Sequence, residues 1–400
     1  MRSNRRLLFL THIIISIARL HFLPISSALV IIQRPKKSSS VTRFLDNKMP
    51  SRSIPLKSSL TNQECLSHVR IMVNGMPGPM ATAAAEACLR KGLQLSPVAM
   101  TGPDVQPCTI NVVDPVTQRS AKVRLLPSTQ TSEIESAIEG LKVALHAVVP
   151  RTIAIASPSS SNNQEETAPP NIYLLAIDFT HPSAVNDNAL FYIQNDIPFV
   201  MGTTGGDRLK LIQDMKTRGK HLSAVIAPNM GKQIVALQTA IHDLATKFPG
   251  AFQGYTLQVV ESHQKTKADT SGTAKAIVDD LKVLSGAKTF TYEDIVQLRT
   301  DELSLNFGVS PEALNGHAFH TYTLTSPDKS VVFELKHNVE GRTVYADGTA
   351  DAVKFLALQL FQQQQQQQQH DRQDSTTNEN NNNAGNIYSM MDVLLAGAME

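Results

Sequence analysis

The chain has 400 residues with 37 Lys+Arg against 35 Asp+Glu, a net charge of +2. Residues 1–50 hold nine Lys/Arg and a single acid, Asp46, so the first fifty residues stand at +8 and the other 350 at −6. A mildly acidic body behind a basic leader lacks the basic face that nucleic-acid binding requires. Aromatics make up only 5% and Trp is absent, which argues against a stacking platform for single strands. The three cysteines, Cys65, Cys88 and Cys108, form no CxxC pair and no even set. They read as free thiols of a reducing compartment, not a disulfide framework or a zinc site.

In chain order, a bipartite targeting leader is expected over 1–63. Arg2, Arg5 and Arg6 open it, an apolar stretch runs from Leu7 to Leu23, and Ser26-Ser27-Ala28 offers a small-residue cleavage site. His12, Arg19 and His21 interrupt that stretch, so a permanent membrane span is not expected. Residues 29–63 have transit-peptide composition, and the pair of signals predicts import into a plastid, with the stroma as destination.

Alternating strand and helix signals then begin. His68–Asn74 reads as a strand, Pro79–Lys91 as a helix with Pro at its start and Gly92 behind it, and Leu93–Met100 as a second strand. Thr109–Val113 and Lys122–Leu126 are β-like, and Ser132–Val148 is helical. Residues 157–170 are a low-complexity insertion expected to be disordered. Strands at Ile172–Phe179, Phe199–Met201 and Ser223–Ala227 alternate with helices at Ser183–Asn195 and Asp207–Gly219. That alternation predicts a Rossmann-like, doubly wound parallel sheet.

After Lys232 the rhythm changes: a helix over Gln233–Lys247, a strand at Tyr255–Glu261, a helix at Thr273–Leu284, then Ala318–Leu324 and Val331–Lys336, which alternate as antiparallel strands do. This is a second, α+β domain with an open mixed sheet. Gly348–Phe361 returns to helix; the Gln/Asn tract 362–386 is expected to be disordered, and Ile387–Met399 to dock as a helix on the first domain. The expected division is therefore 68–231 for the nucleotide, 232–340 for substrate and oligomerisation, and 341–400 returning to the first domain.

Four loops at strand ends carry chemistry. Gly75-Met76-Pro77-Gly78-Pro79-Met80 joins a strand to a helix, where glycines admit a pyrophosphate to the helix N-terminus. Asp178-Phe179-Thr180-His181-Pro182, Gly202-Thr203-Thr204-Gly205-Gly206 and Ala227-Pro228-Asn229-Met230-Gly231 follow parallel strands, the edge at which open α/β sheets bind ligands. No Asp or Glu ends the second strand. Thr101 stands there, a hydroxyl that does not repel a 2′-phosphate, which favours NADPH while leaving NADH plausible. The fifth segment, Glu261 to Thr273 (ESHQKTKADTSGT), pairs a histidine able to donate a proton with a lysine able to hold a carboxylate, and ends in Ser271-Gly272-Thr273, a helix start that offers N–H groups to a second anion.

Together GxxGxM, DFTxP, MGTTGG, APNMGKQ and ESHQxxKxDxSGTA resemble 4-hydroxy-tetrahydrodipicolinate reductase, in its plant and algal type. The resemblance runs from about His68 to Phe361 and resumes at Ile387. It implies that Gly75, Met76, Pro77, Gly78, Pro79, Met80 and Thr101 lie along the adenosine and pyrophosphate part of the coenzyme. Phe179, Thr180, Gly202, Thr203, Thr204, Ala227, Pro228, Asn229 and Met230 would approach the nicotinamide. It further implies His263 and Lys267 as the catalytic pair, and Gln264, Lys267, Ser271, Gly272 and Thr273 as contacts for a small dicarboxylate, with no metal. Gln264 stands where bacterial members often have a second His. Pro79 replaces a basic residue usual at that position, so the 2′-phosphate would need another cation, with Arg119, Lys122 or Arg124 the nearest candidates in sequence. The implied assembly is a homodimer or homotetramer through the open sheet. Two other readings stay open: an imine or amino-acid dehydrogenase on the same fold, and a noncatalytic NADPH-sensing module.

Overall fold

The computed structural model describes residues 62–153, 173–219, 222–373 and 386–397, all within one compact unit, Ser58–Glu400. The leader, the insertion 157–170 and residues 374–385 of the polar tract lie outside the described residues. No helix among the described residues is long and apolar enough to cross a membrane.

A short helix α1 (Asn62–Ser67) leads into β1 (Val69–Asn74), and α2 (Pro79–Arg90) follows. Then come β2 (Gln94–Leu95), β3 (Val98–Thr101), β4 (Cys108–Val113), β5 (Ser120–Pro127) and α3 (Thr131–Ile153). Next are β6 (Tyr173–Asp178), α4 (Val185–Gln194), β7 (Phe199–Met201), α5 (Arg208–Thr217) and β8 (Ala224–Ile226). The second half holds α6 (Lys232–Lys247), β9 (Thr256–His263), α7 (Gly272–Ser285), β10 (Val296–Leu298), α8 (Asp301–Asn306), β11 (His317–Thr325) and β12 (Val332–Glu340). The return is α9 (Thr343–Gln373), β13 (Ile387–Tyr388) and α10 (Met390–Leu395).

Six strands form one wholly parallel sheet in the order β13-β8-β7-β6-β1-β2. The chain leaves β1 toward β2 and then crosses to β6 on the other side, so the crevice between β1 and β6 is a topological switch point. Its central strands are near-continuous apolar runs, as expected when both faces are covered by helices. Ile71, Val73, Leu175, Ile177, Phe199 and Val225 are all essentially inaccessible. The expected doubly wound sheet is present. The stretch read as one strand, Leu93–Met100, is two. Pro97 follows Ser96, and a proline has no N–H for the ladder. Gln94–Leu95 pairs with β1, while Val98–Thr101 turns away to join β5 and β4 in a separate three-stranded sheet.

The second half builds a mixed sheet in the order β10-β9-β11-β12, with β9, β11 and β12 antiparallel. Leu257 and Val259 of β9 and Tyr322 and Leu324 of β11 pack on Ile277, Val278 and Leu281 of α7. The other face carries Thr321, Thr323 and Thr325, and β12 is an edge strand with Val332 and Phe333 more than half or half exposed.

Two expectations about the C-terminal region are corrected. The Gln/Asn tract, expected to be disordered throughout 362–386, is helical to Gln373 as the continuation of α9. Gln costs little in a helix, and propagation from a packed helix avoids the nucleation penalty. Gln364 accepts a hydrogen bond from the Tyr173 hydroxyl at 3.2 Å and Gln363 one from Ser223 at 3.5 Å. The tail is also not one helix: Ile387–Tyr388 adds a sixth parallel strand beside β8, and only Met390–Leu395 is helical.

Candidate active site

The loops at the carboxyl ends of the parallel strands are organised from beneath by a buried carboxylate. Asp178, at the end of β6, is inaccessible and accepts from Tyr192 (2.7 Å), Asn188 (2.9 Å), Thr203 (2.8 Å), and both the amide and hydroxyl of Thr180 (3.1 and 2.8 Å). Tyr192 in turn accepts from Asn74 (2.8 Å), whose Oδ1 takes the Met100 amide (2.7 Å). A buried ion of this kind is tolerable only because its acceptor sites are filled. The network fixes the ends of β1, β3, β6 and β7 relative to one another. Burial, helped by Asp178, pushes the Tyr192 phenol well up, so it stays a donor.

Backbone approach is close where these strand-end loops meet. Gly75 has φ +99°, and a Cβ there would lie 2.3 Å from the Phe179 carbonyl oxygen. A Cβ on Gly202 would strike the Phe179 ring at 2.3 Å. These positions form a cradle that side chains would fill, at the N-terminal start of α2, where N–H groups without intrahelical partners can bind an anion. The residues present fit a dinucleotide.

A cleft of about 1060 Å³ opens at this sheet edge. Met80, Phe179, Thr180, Gly202, Thr203, Thr204, Pro228, Asn229 and Met230 line it from the parallel sheet, and Lys267, Ser271, Gly272 and Thr273 from the second half. Asn229 donates to Thr273 Oγ1 across it (3.1 Å) and accepts from the Gly231 amide (2.8 Å). Gly75, Met76, Pro77 and Gly78 sit in the turn beyond the cleft wall, Pro79 opens α2 outside the lining, Ala227 is buried behind the wall, and Gln264 stands outside the lining.

Three expectations about individual residues change. Thr101 is buried, and its hydroxyl donates to the Met76 carbonyl at 2.6 Å, so it braces the turn and has no proton to offer a ribose phosphate. The substitute cations are at the wrong end. Arg124 pairs in register with Val98, at the start of β3, and holds Glu133; Arg119 donates to Leu89, near the end of α2; Lys122 lies between them in sequence, opposite Asn111 of β4. Third, β9 runs to His263, which is 7% exposed and does not line the cleft.

Around His263 lies a cluster that the sequence reading did not assemble. Its Nε2 faces Nε2 of His320 at 3.3 Å, and His320 stacks on His337 with centroids 4.6 Å apart. Burial chiefly, with Arg299, Lys267 and His317 adding repulsion, pushes His263 down to about 3; a backbone contact with His317 works the other way. Burial, then His337, His263 and the same cations push His320 down to about 2. Both rings are held neutral near neutral pH. Glu261, inaccessible, is bonded to the Arg299 guanidinium and accepts from the Ser271 amide at 3.1 Å. Arg299 also donates Nε–H to the Lys267 carbonyl (2.9 Å) and reaches the Asp269 carbonyl (3.3 Å), stapling the whole loop. Glu261 Oε2, His263 and His320 come within 4.8 Å of one another, but the guanidinium already supplies the cation that Glu261 needs. Lys267 Nζ rests on Asp269 at 2.7 Å, which holds that carboxyl below its ordinary range. The signal for Glu261 was available: an acid two residues from His263 on a strand shares its face. Arg299 gave none, because its partner is 38 residues away.

The comparisons with known proteins agree with this architecture. Family models for the N-terminal and C-terminal parts of dihydrodipicolinate reductase match residues 116–230 and 234–394. A rice protein named as a probable chloroplastic 4-hydroxy-tetrahydrodipicolinate reductase 1 is 38% identical over 80% of this chain and 85% of its own length. The Arabidopsis thaliana chloroplastic reductase 1 is 36% identical over 83% and 79%. The Thermobifida fusca reductase is 37% identical over 46% of this chain and 75% of its own. Matches of this extent, with the sheet and cleft in place, settle the family. The chain belongs to the dihydrodipicolinate reductases, oxidoreductases that use a nicotinamide coenzyme.

Proposed function

We propose that the cleft reduces 4-hydroxy-tetrahydrodipicolinate to tetrahydrodipicolinate, in the diaminopimelate route to lysine, within the plastid stroma. The observation that carries this reading is the Asn229–Thr273 bond, which sets the nicotinamide-side loop directly against the anion-binding start of α7. The reduced nicotinamide, when bound, supplies the hydride.

The chain's own groups do the rest. Lys267 exchanges Asp269 for one substrate carboxylate, and the amides at Gly272 and Thr273 take the other, so the ring is held across the cleft by charge at both ends. Negative charge develops toward the ring nitrogen and the adjacent carbon as the substrate is reduced, and His263 protonates it. Arg299 and Glu261 keep the loop and β9 in place while this happens. A general dehydrogenase of imines or amino acids lacks a reason for two anion clamps facing one coenzyme loop. A noncatalytic sensor has no use for an imidazole set beside that clamp.

For the coenzyme, the adenosine end offers no attraction to a 2′-phosphate among the described residues: Pro79 is exposed and uncharged, Thr101 is committed, and exposed Asp104 lies in the turn after β3. Both coenzymes are therefore used, with NADPH no better than NADH. The open threonine-rich face and unpaired edge of the mixed sheet support assembly into a homodimer or homotetramer through β12. The test is coenzyme oxidation by residues 58–400, with substrate made in place by the synthase that condenses pyruvate and aspartate semialdehyde. Turnover of other imines or keto acids with comparable kcat/KM would overturn the substrate assignment.

A further inference from the structure

The His263 ring is turned in from the cleft. It is 7% exposed, it contributes nothing to the cleft wall, and its Nε2 points at His320, which is 2% exposed. The rings meet edge to face, with centroids 5.0 Å apart and planes at 74°. Two facing imidazole nitrogens at 3.3 Å form a bond only if one carries hydrogen and the other does not. A further proton on the accepting nitrogen sets N–H against N–H and abolishes the contact.

The surroundings decide which state is preferred. On β9 stands Glu261, neutralised by Arg299 from the segment after β10. The loop contributes Lys267 and its partner Asp269. β11 contributes His317, His320 and Tyr322, β12 contributes His337, and the start of α7 contributes the Ser271 amide to Glu261. The nearest carboxylate oxygen to His320 is Glu261 Oε2, at 3.8 Å, beyond a hydrogen bond. Nδ1 of His320 and both nitrogens of His337 are buried with no partner. Each of the two cations is paired with a carboxylate, so the charges around the pair balance, and an arriving dicarboxylate adds negative charge beside it.

We propose that His320 is a positioning residue that docks the His263 ring against β11, and that a bound dicarboxylate exchanges this N–N contact for one proton taken from solvent onto His263. The proton acquired in this way is the one later delivered to the reduced substrate, so each turnover begins by charging the donor. No bond other than N–H is made in this step. The inference rests on the reductase reading, and it adds a residue, His320, to which that reading assigns nothing.

The test is calorimetric titration of dipicolinate, a planar unreactive dicarboxylate, into the full chain saturated with coenzyme. At pH 6.0, in buffers of different ionisation enthalpy, the protons taken up per bound ligand are counted. A docked, neutral His263 takes up about one. A solvated histidine near its ordinary value is already about three-quarters charged at that pH and takes up only about a quarter. Wild type is expected near one, His320→Gln near one because its amide can still partner Nε2, and His320→Leu near a quarter because the ring is released. A role confined to packing would weaken both variants while leaving the proton count at one. Wild-type uptake near zero, or an unchanged count in His320→Leu, overturns the inference while leaving the reductase reading intact. Failure of dipicolinate to bind while turnover is intact overturns the inference alone; failure of both binding and turnover overturns the reductase reading with it.

Discussion

Removing the His263 imidazole takes away the proposed proton donor and leaves the Lys267 and α7 clamp standing. His263→Ala is therefore expected to lower kcat roughly 100-fold or more with little change in KM, because the transfer exists only in the transition state. Steady-state kinetics check this, and wild-type kcat in the variant would remove His263 from the mechanism. Lys267 is the converse case. It meets a charge that is present before and during reaction, so Lys267→Met should raise KM more than it lowers kcat, by about 10-fold or more for a lost charge-assisted bond of about 1.5–3 kcal/mol. Pro79 tests the coenzyme argument. It is exposed at the first position of α2, where the backbone is free of an intrahelical duty, so Pro79→Arg should be accommodated. The NADPH/NADH ratio of kcat/KM is expected to rise about tenfold, and an unchanged ratio would place the ribose elsewhere.

Two helix ends converge on one acid within a third helix. Asp351 of α9 is 1% exposed and bonds both Lys91, just past α2, and Lys232, the first residue of α6. This is where the chain passes from the parallel sheet into the second half and returns. Asp351→Ala leaves two largely buried ammonium groups facing one another. It is expected to cost about 3–5 kcal/mol in denaturant unfolding, whereas loss of a surface pair such as Lys247–Asp243 should cost less than about 1 kcal/mol. Elements of this kind divide sharply in how well they show in sequence. The parallel strands, their helices and the β9–α7 loop were legible, because apolar periodicity and strand-end glycines are local signals. The break at Ser96-Pro97 was written as plainly, yet the apolar run around it concealed two strands with different partners. The helical start of the glutamine tract was invisible to composition alone, since its helix is inherited from the packed turns before it. Thr101 was misread for a related reason: position after the second strand says where a hydroxyl is, and only the fold says that Met76 has already claimed its hydrogen. His320 lies on the β11 strand, where strand period places it on the face of Tyr322 and Leu324. An imidazole on an apolar face was the available clue.

Acid stability belongs to the molecule as a whole. His263 and His320 are held neutral in the folded state, at about 3 and about 2, while the unfolded chain titrates them near 6.5. Above about pH 6.5 neither state carries the proton and the contribution to stability is intact. Below it the unfolded chain binds protons that the fold refuses, so stability falls with pH down toward the folded values. The expected slope is about 1.4 kcal/mol per pH unit for each histidine. Melting curves between pH 7.5 and 4.5 check this; a flat Tm from 6.5 to 5 would mean that the cluster is not sealed. The edge strand β13 carries a consequence of another kind, one of timing. Every other strand of the parallel sheet precedes it in the chain. As the polypeptide emerges from a ribosome or passes an import pore, β8 therefore keeps an open edge, and Met391 is missing from the cleft wall, until some 320 residues of the body have followed β1 out. The basic leader is available from the first moments of synthesis. The address is thus readable while the sheet still waits for its last strand, and a chain in that condition is one that can still be threaded.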